Sequence, residues 1–461
     1  MQQTTEPKIT IRMILSERAV RTVILVALVM LMGVGLIAPT LALYARSFGV
    51  GYGAAGLLLA AFGLGRLAFD LIAGPLVDRF GERLCATAGL LFLAVCAALT
   101  AIAPVYWLAV ALWGLGGAGS AVTFAAQYSY LLKAVPADRM ARTLGVFYTS
   151  FNAGIIGGGA AGGFMAARLG LASPLFGFSI LMVVSALIYA RAVPDLPPRA
   201  MEPPPDTEGI ALPTAGSESQ FRPWWSHGAG TAIGGAVEVP IERGMPLLRR
   251  TTSGFRELLK RRALRTVLVL NFAYMWVIVS VYETLVPLFG HDELGMSEAF
   301  IGTVFAVAVA TEFFVLYPAG SAADRYGRKP VLVPSFAALG IMVVVLGWAS
   351  TPTLFLVMMG LLGIAAGFAG VPPAAMLSDV VSDGRAGSAV GLFRFAGDLG
   401  WFLGPLLASA AADLVGFKQA FAIAAVPVAA ALLLLLRTPE TLRSAPSHEE
   451  ERHSQDHVRR D

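Results

Sequence analysis

Apolar residues run along this chain in blocks too long and too unbroken for the core of a soluble domain. Each block approaches or exceeds the about 20 residues a helix needs to cross the hydrocarbon layer of a bilayer. Short clusters of glycine, proline and charge separate them. The pattern predicts twelve spans, near residues 20–44, 52–76, 84–103, 105–131, 143–166, 173–191, 266–289, 298–320, 330–350, 353–377, 388–412 and 417–436. From 192 onward hydrophobicity collapses: six prolines fall between Pro194 and Pro205, followed by Gly, Ser and a basic run from Arg249 to Arg265. Such a stretch reads as a linker, residues 192–265, between a first six-helix half at 20–191 and a second at 266–436. Its Trp224 and Trp225 are candidates for docking on a membrane surface, and its last part, FRELLKRRALR, reads as a short interfacial helix. Residues 1–19 precede the first span, and 437–461 form a charged, polar tail expected to be disordered.

Composition agrees with this reading and charge adds an orientation. Of the 461 residues, 56% are hydrophobic and 14% charged, and mean hydropathy is +0.71. The basic residues before the first span (Lys8, Arg12, Arg18, Arg21) read as a retained anchor rather than a cleaved leader. If both termini lie in the cytoplasm, all but five of the 34 Lys and Arg fall on that side: Arg46, Arg168 and Lys418 lie outside, and Arg66 and Arg394 within spans. That bias is the positive-inside signature of a plasma or inner membrane protein. The net charge of +4 is then a topology device with no nucleic-acid patch in it. Cys85 and Cys96 have neither zinc nor redox spacing and read as core residues, and the five histidines do not cluster, so no metal site is expected. GLGGAG at 114–119 fits a dinucleotide fingerprint only in letters, because it lies inside an apolar span. No Walker sequence is present, and an integral-membrane enzyme finds no nucleophile and base set.

The two halves repeat. GPLVDRFGER at 74–83 aligns with GSAADRYGRK at 320–329, an offset of 246 residues. GVFYTSFNAGIIGGG at 145–159 aligns with GLFRFAGDLGWFLGP at 391–405 at the same offset, and so do Gly49 with Gly295 and Gly56 with Gly302. One offset held across separate stretches implies parallel structural repeats related by an axis along the membrane normal.

With these motifs the chain resembles the major facilitator superfamily over nearly its whole length. The family's loop signature, Gly-x-Leu-x-Asp-Arg-x-Gly-Arg-Lys/Arg, is matched by Gly74, Leu76, Asp78, Arg79, Gly81 and Arg83, with Glu82 departing from the usual basic residue. A second copy comprises Gly320, Asp324, Arg325, Gly327, Arg328 and Lys329. Physically, Gly74 and Gly81 allow close helix approach and a sharp turn, Asp78 suits a helix N-terminus, and the arginines suit an anionic leaflet. The resemblance is nearest to the twelve-span drug:proton antiporters. Gly154, Gly158, Gly159, Gly162 and Gly163 resemble their span-five antiporter motif, with Gly159 where proline is usual; the same spacing also serves plain helix packing, as do Gly400 and Gly404. Gly33 and Pro39 resemble a span-one motif, with Ala42 in place of its second proline. In span four Gly117 and Gly119 are present, but Trp113 stands at the position of an arginine tied to proton coupling in that branch.

Ionisable residues at membrane depth cost about 2.5 to 3.5 kcal/mol each on insertion scales and therefore mark function or a partner. They are Arg66, Asp70, Glu283, Glu312, Arg394 and Asp398. Arg66 with Asp70 and Arg394 with Asp398 stand four apart on one helix face, as two local ion pairs would. The resemblance implies that span two lies against span eleven, and span five against span eight. Depth counted at about 1.5 Å per residue then sets Asp70 level with Arg394 and Arg66 level with Asp398. On this reading Arg66, Asp70, Asn152, Arg394 and Asp398 form an inter-half gate, with Glu312 facing Asn152. Glu312, Glu283 and Asp398, in that order, are proton-coupling candidates, since a coupling carboxylate must change hydration during the cycle. The resemblance also implies a cavity lined by spans one, four, seven and ten, offering Thr40, Thr123, Gln127, Tyr130, Asn271, Tyr274, Trp276 and Met376, with Tyr44 better placed as an interfacial anchor. An aromatic, weakly polar lining suits lipophilic or amphipathic molecules.

The expectation is an all-α integral membrane transporter of the major facilitator fold. It exports such molecules against protons by alternating access, needs no cofactor beyond the proton gradient, and works as a monomer in the lipid bilayer. Uptake of a small metabolite on the same fold remains open, as does a non-transporting receptor or scaffold that uses the linker.

Overall fold

The computed structural model describes residues 18–135, 137–194, 260–380 and 386–441. Among these residues every regular element is helical, and the helices form twelve membrane-crossing rods. In order they are Arg18–Ile37 with Leu41–Arg46, Tyr52–Phe80, Glu82–Ala101, Tyr106–Ala134, Ala137–Leu169 and Ser173–Ala192 in the first half. The second half comprises Arg262–Val277 continuing to Asp292, Glu298–Tyr326, Arg328–Leu346, Pro352–Gly370 with Pro372–Val380, Ala386–Val415, and Phe417–Ala424 with Val426–Leu436. Eleven are long and apolar enough to cross a membrane by composition alone. Span five, Ala137–Leu169, is not among those eleven, because its glycines dilute its hydropathy, yet its 33 residues make it the longest of these helices.

Breaks occur where the sequence forbids a continuous ladder. Span one interrupts at Ala38–Thr40 around Pro39, which lacks an N–H and crowds the preceding turn. The Thr40 hydroxyl donates to the Leu36 and Ile37 carbonyls at 3.4 and 3.2 Å there. Span ten breaks before Pro372 and Pro373, and span twelve before Pro427. Span seven loosens into a π-helix over Ile278–Leu285, which contains Glu283.

Spans one, five and six pack together, as do two, three and four, and the halves meet where span two lies on span eleven and span five on span eight. Side chains such as Phe314 and Tyr317 are 75% and 84% exposed on the outer surface, where lipid would cover them.

The repeat extends into the turns. The six glycines with positive φ fall into three pairs, Gly49 with Gly295, Gly81 with Gly327, and Gly170 with Gly416, each separated by 246 residues. A positive-φ residue follows the first, second and fifth span of each half at the same place, and only glycine takes it without strain.

The predicted linker lies almost wholly outside the described residues, and with it Trp224, Trp225 and the first five residues of FRELLKRRALR, whose last four, 262–265, open the helix of span seven. Of the tail expected to be disordered, Arg437–Thr441 are described and make ordered contacts, and the rest lies outside the described residues. Thr438 is buried, its hydroxyl 2.7 Å from that of Thr266, and Glu440 caps span nine by accepting from the Arg328 and Lys329 amides at 3.0 and 2.9 Å.

Candidate functional site

Two ion pairs cross the interface between the halves at mid-bundle. Arg66 Nε on span two donates to Asp398 Oδ1 on span eleven at 3.1 Å, and Arg394 Nη2 reaches back to Asp70 Oδ1 at 3.4 Å. Each charge therefore bonds across the interface to the opposite half. Span four completes the surroundings: Arg66 Nη1 donates to Ser120 Oγ at 3.1 Å, and the Arg394 guanidinium lies 4.6 Å from the Phe124 ring centre. Trp401 approaches Arg66 from span eleven at 5.7 Å. The helices come this close because Gly63 faces the Phe402 backbone, where an added Cβ would meet the amide nitrogen at 2.9 Å.

The position equivalent to Arg66 is Glu312, on span eight. It is buried and accepts a 2.5 Å hydrogen bond from the Tyr274 hydroxyl of span seven, within its own half. Tyr274 in turn presses on span ten, where a Cβ at Gly370 would meet its ring at 2.7 Å. Glu283 is half-buried in the π-helical stretch, where no partner is recorded for its carboxylate among the described residues. Such π segments recur at functional sites.

The cavity set expected in spans one, four, seven and ten is mostly absorbed into packing. Thr123 and Gln127 are fully buried, and Thr123 faces span three, where a Cβ at Gly89 would sit 2.5 Å from its hydroxyl. Tyr130 and Met376 are buried as well. Asn271 donates to the Phe393 carbonyl on span eleven at 2.7 Å, Trp276 to the Ala424 carbonyl on span twelve at 3.0 Å, and Thr40 to its own helix. Tyr274 alone of the set keeps partial exposure. Trp113, at the position of the family's arginine, stacks on Phe62 at 4.9 Å and meets Phe178 edge-on.

The span-five glycines serve two neighbours. Gly154, Gly158 and Gly162 lie against span one, where Cβ atoms would meet the carbonyls of Leu28, Met32 and Leu36 at 2.4, 2.1 and 1.9 Å. Gly159 and Gly163 face span eight, with Gly163 meeting the Glu298 carbonyl at 2.4 Å. At the pseudo-equivalent contact Gly56 of span two meets Ser409 and Pro405 of span eleven. Gly400 and Gly404 pack on span seven.

At the loop motifs, Gly81 and Gly327 make the sharp turns expected of them. Gly74 faces open space and Gly320 has only a 3.7 Å neighbour, so neither supports close helix approach. Asp78 is exposed, and the carboxylate capping a helix here is Glu440. Arg79 and Arg325 lie over the neighbouring Phe80 and Tyr326 rings, both at 5.3 Å. Glu82, the departure from the motif, is buried and pairs with Lys133 at 2.5 Å and Ser129 at 2.9 Å. Its repeat equivalent Arg328 pairs with Asp379 at 3.0 Å and with Asp324. Asp379 is the equivalent of Lys133, so the same bridge recurs with its charges exchanged. Arg83 donates to the Ala190 carbonyl, and its equivalent Lys329 to the Leu436 carbonyl at 2.9 Å, again matching positions.

The opposite end holds residues that sequence reasoning missed. Arg46 meets Asp292 at 3.5 Å, Asp292 also accepts from Tyr52 at 2.8 Å, and Asp413 accepts from the Tyr52 and Gly53 amides at 2.9 and 2.5 Å. Arg46 and Asp292 are 246 apart, and two equivalent positions touch only near the axis relating the halves. That offset was the available signal.

Comparison with known proteins agrees with this architecture. The family model described as Major Facilitator Superfamily matches residues 23–311 and 291–458. The chain is 27% identical over 394 residues to a tetracycline resistance protein, class C, of Escherichia coli, covering 82% of this chain and 85% of that one. It is 32% identical over 160 residues to multidrug resistance protein MdtG of Rahnella sp. (strain Y9602), a match that reaches 36% of that protein. Among solved structures, nucleoside transporter NupG superposes with a TM-score of 0.68 at 13% identity, covering 92% of this chain and all of that one. The human organic anion transporter MFSD10 gives 0.62 at 18%, over 93% of this chain and all of its own. Repeat, helix pairing and family match agree: this chain is a multi-pass membrane transporter of the Major Facilitator Superfamily.

Proposed function

We propose that the protein exports lipophilic or amphipathic small molecules from the cytoplasm in exchange for protons, by rocking its two halves about a midplane site. The loop-motif end then faces the cytoplasm with both termini, as the placement of Lys and Arg favours. Likeness to a resistance protein over most of the chain supports the substrate class and the direction. The observation that carries the coupling is Glu312: a buried carboxylate at membrane depth whose recorded partner is the hydroxyl of a neighbouring tyrosine. A carboxylate held this way binds a proton when dry and loses it when hydrated. The crossed pairs of Arg66, Asp70, Arg394 and Asp398 act as the cytoplasmic gate, formed when that end closes. The contacts of Arg46, Asp292 and Asp413 act as its external counterpart.

The test is transport in vesicles of purified protein with pH gradients of each sign, using labelled tetracycline, a lipophilic cation and a nucleoside. Movement opposite to proton flow is expected, and movement with it overturns antiport. Glu312→Gln is expected to abolish the response to the gradient while retaining substrate binding; an unchanged response removes Glu312 from the mechanism. A second reading, uptake of a small metabolite, is favoured by Trp113 standing in place of the coupling arginine. The same vesicles separate the two.

A further inference from the structure

We propose that Asp70 and Asp398 share one transported proton across the interface between the halves, which makes the gate itself a proton-binding site. The inference rests on the antiport reading and adds a carrier distinct from Glu312.

Seven side chains from three spans surround the site. Span two supplies Arg66 and Asp70, span eleven supplies Arg394, Asp398 and Trp401, and span four supplies Ser120 and Phe124. The two guanidinium groups each engage one carboxylate oxygen, Oδ1 of Asp398 and Oδ1 of Asp70. That leaves Asp70 Oδ2, which is buried from solvent without a donor. Each arginine stands one turn from an acid on its own helix while bonding to the acid of the other helix, so the Asp70 and Asp398 carboxyl groups belong to one four-charge cluster. Ionised carboxylates only accept, so a hydrogen bond between two of them requires that one hold a proton. Placed on Asp70 Oδ2, that proton gives the orphaned atom its bond and adds a third link between spans two and eleven.

The geometry also provides release. The two acids belong to different halves, so opening the cytoplasmic end pulls them apart, ends the sharing and hydrates both. One proton taken up from the external side while the gate is closed then leaves to the cytoplasm when it opens. No other bond is made or broken. Linkage sets the sign: closure binds a proton, so lower pH favours the closed gate, and the closed-to-open ratio changes by at most about tenfold per pH unit.

The experiment needs no substrate. In the full chain with Cys85 and Cys96 replaced by serine, spin labels are placed through Gly74→Cys and Gly391→Cys, where an added Cβ meets nothing within 4 Å. Both positions lie toward the loop-motif end of spans two and eleven, so their separation reports gate opening. The short-distance fraction of the parent is expected to grow as pH falls from about 9 to about 5. Asp70→Asn and Asp398→Asn are expected to flatten that dependence. A parent without pH dependence, or an Asp70→Asn protein that titrates like the parent, overturns the proposal. Should Asp70→Asn fail to fold, the protonated-carboxyl band in pH-difference infrared spectra of the parent and of Asp398→Asn decides: its persistence unchanged in Asp398→Asn overturns the shared proton. The vesicle assay judges antiport separately, so the two readings fail independently.

Discussion

Reversing the deeper of the crossed pairs tests whether it acts between halves or only within a helix. The side chains of Arg66 and Asp398 are 14% and 7% exposed, so solvent screens their interaction little. Arg66→Asp alone sets three carboxylates around a single remaining guanidinium. Breaking a buried pair by altering one partner costs about 3 to 5 kcal/mol. The open state, in which both groups are hydrated, is spared most of that cost. The closed-to-open ratio is therefore expected to fall by roughly two to three and a half powers of ten. Arg66→Asp with Asp398→Arg restores the pair but still lacks the Ser120 hydrogen bond and the Trp401 contact. These are worth about 2 kcal/mol together, so the double variant should remain about thirtyfold below the parent while exceeding either single variant at least about fivefold. The assay is the Gly74 to Gly391 label distance, read with the rate of tracer efflux from vesicles. If the double reversal folds and closes no better than the single ones, Arg66 and Asp398 are not coupled across the interface.

Two further outcomes follow from packing and from the exchanged loop bridge. Gly163→Ala drives a Cβ to 2.4 Å from the Glu298 carbonyl, so it is expected to hold the end opposite the loop motifs open, with several-fold faster alkylation of a cysteine at Ala410. Gly154→Ala, which presses on span one inside one half, is expected to reduce folded yield without changing that rate. Lys133→Asp sets a second carboxylate against buried Glu82 and should cost about 3 kcal/mol of stability, read as a lower melting temperature. Adding Glu82→Arg reproduces the Arg328 and Asp379 arrangement and should recover most of the loss; equal melting of single and double variants refutes that equivalence.

The sequence by itself determined the membrane class, the helices of the spans to within six residues at either end, and the two-fold repeat. Hydrophobic length and a constant offset are properties of the chain that no neighbour can alter. Counting depth along spans two and eleven was enough to set Arg66 beside Asp398 and Asp70 beside Arg394. It succeeded because a membrane fixes the height of every residue in a crossing helix. Rotation about the helix axis has no such ruler. Span four is apolar nearly all round, so nothing in its sequence says which face turns inward; Thr123, expected in a cavity, faces span three, and Gln127 is fully buried. The same freedom let Glu312 find Tyr274, Glu440 cap span nine, and Asp413 cap span two from the other half. Those partners are distant in sequence and carry no shared motif; they meet only because packed helices bring their ends together, a decision that belongs to the tertiary structure.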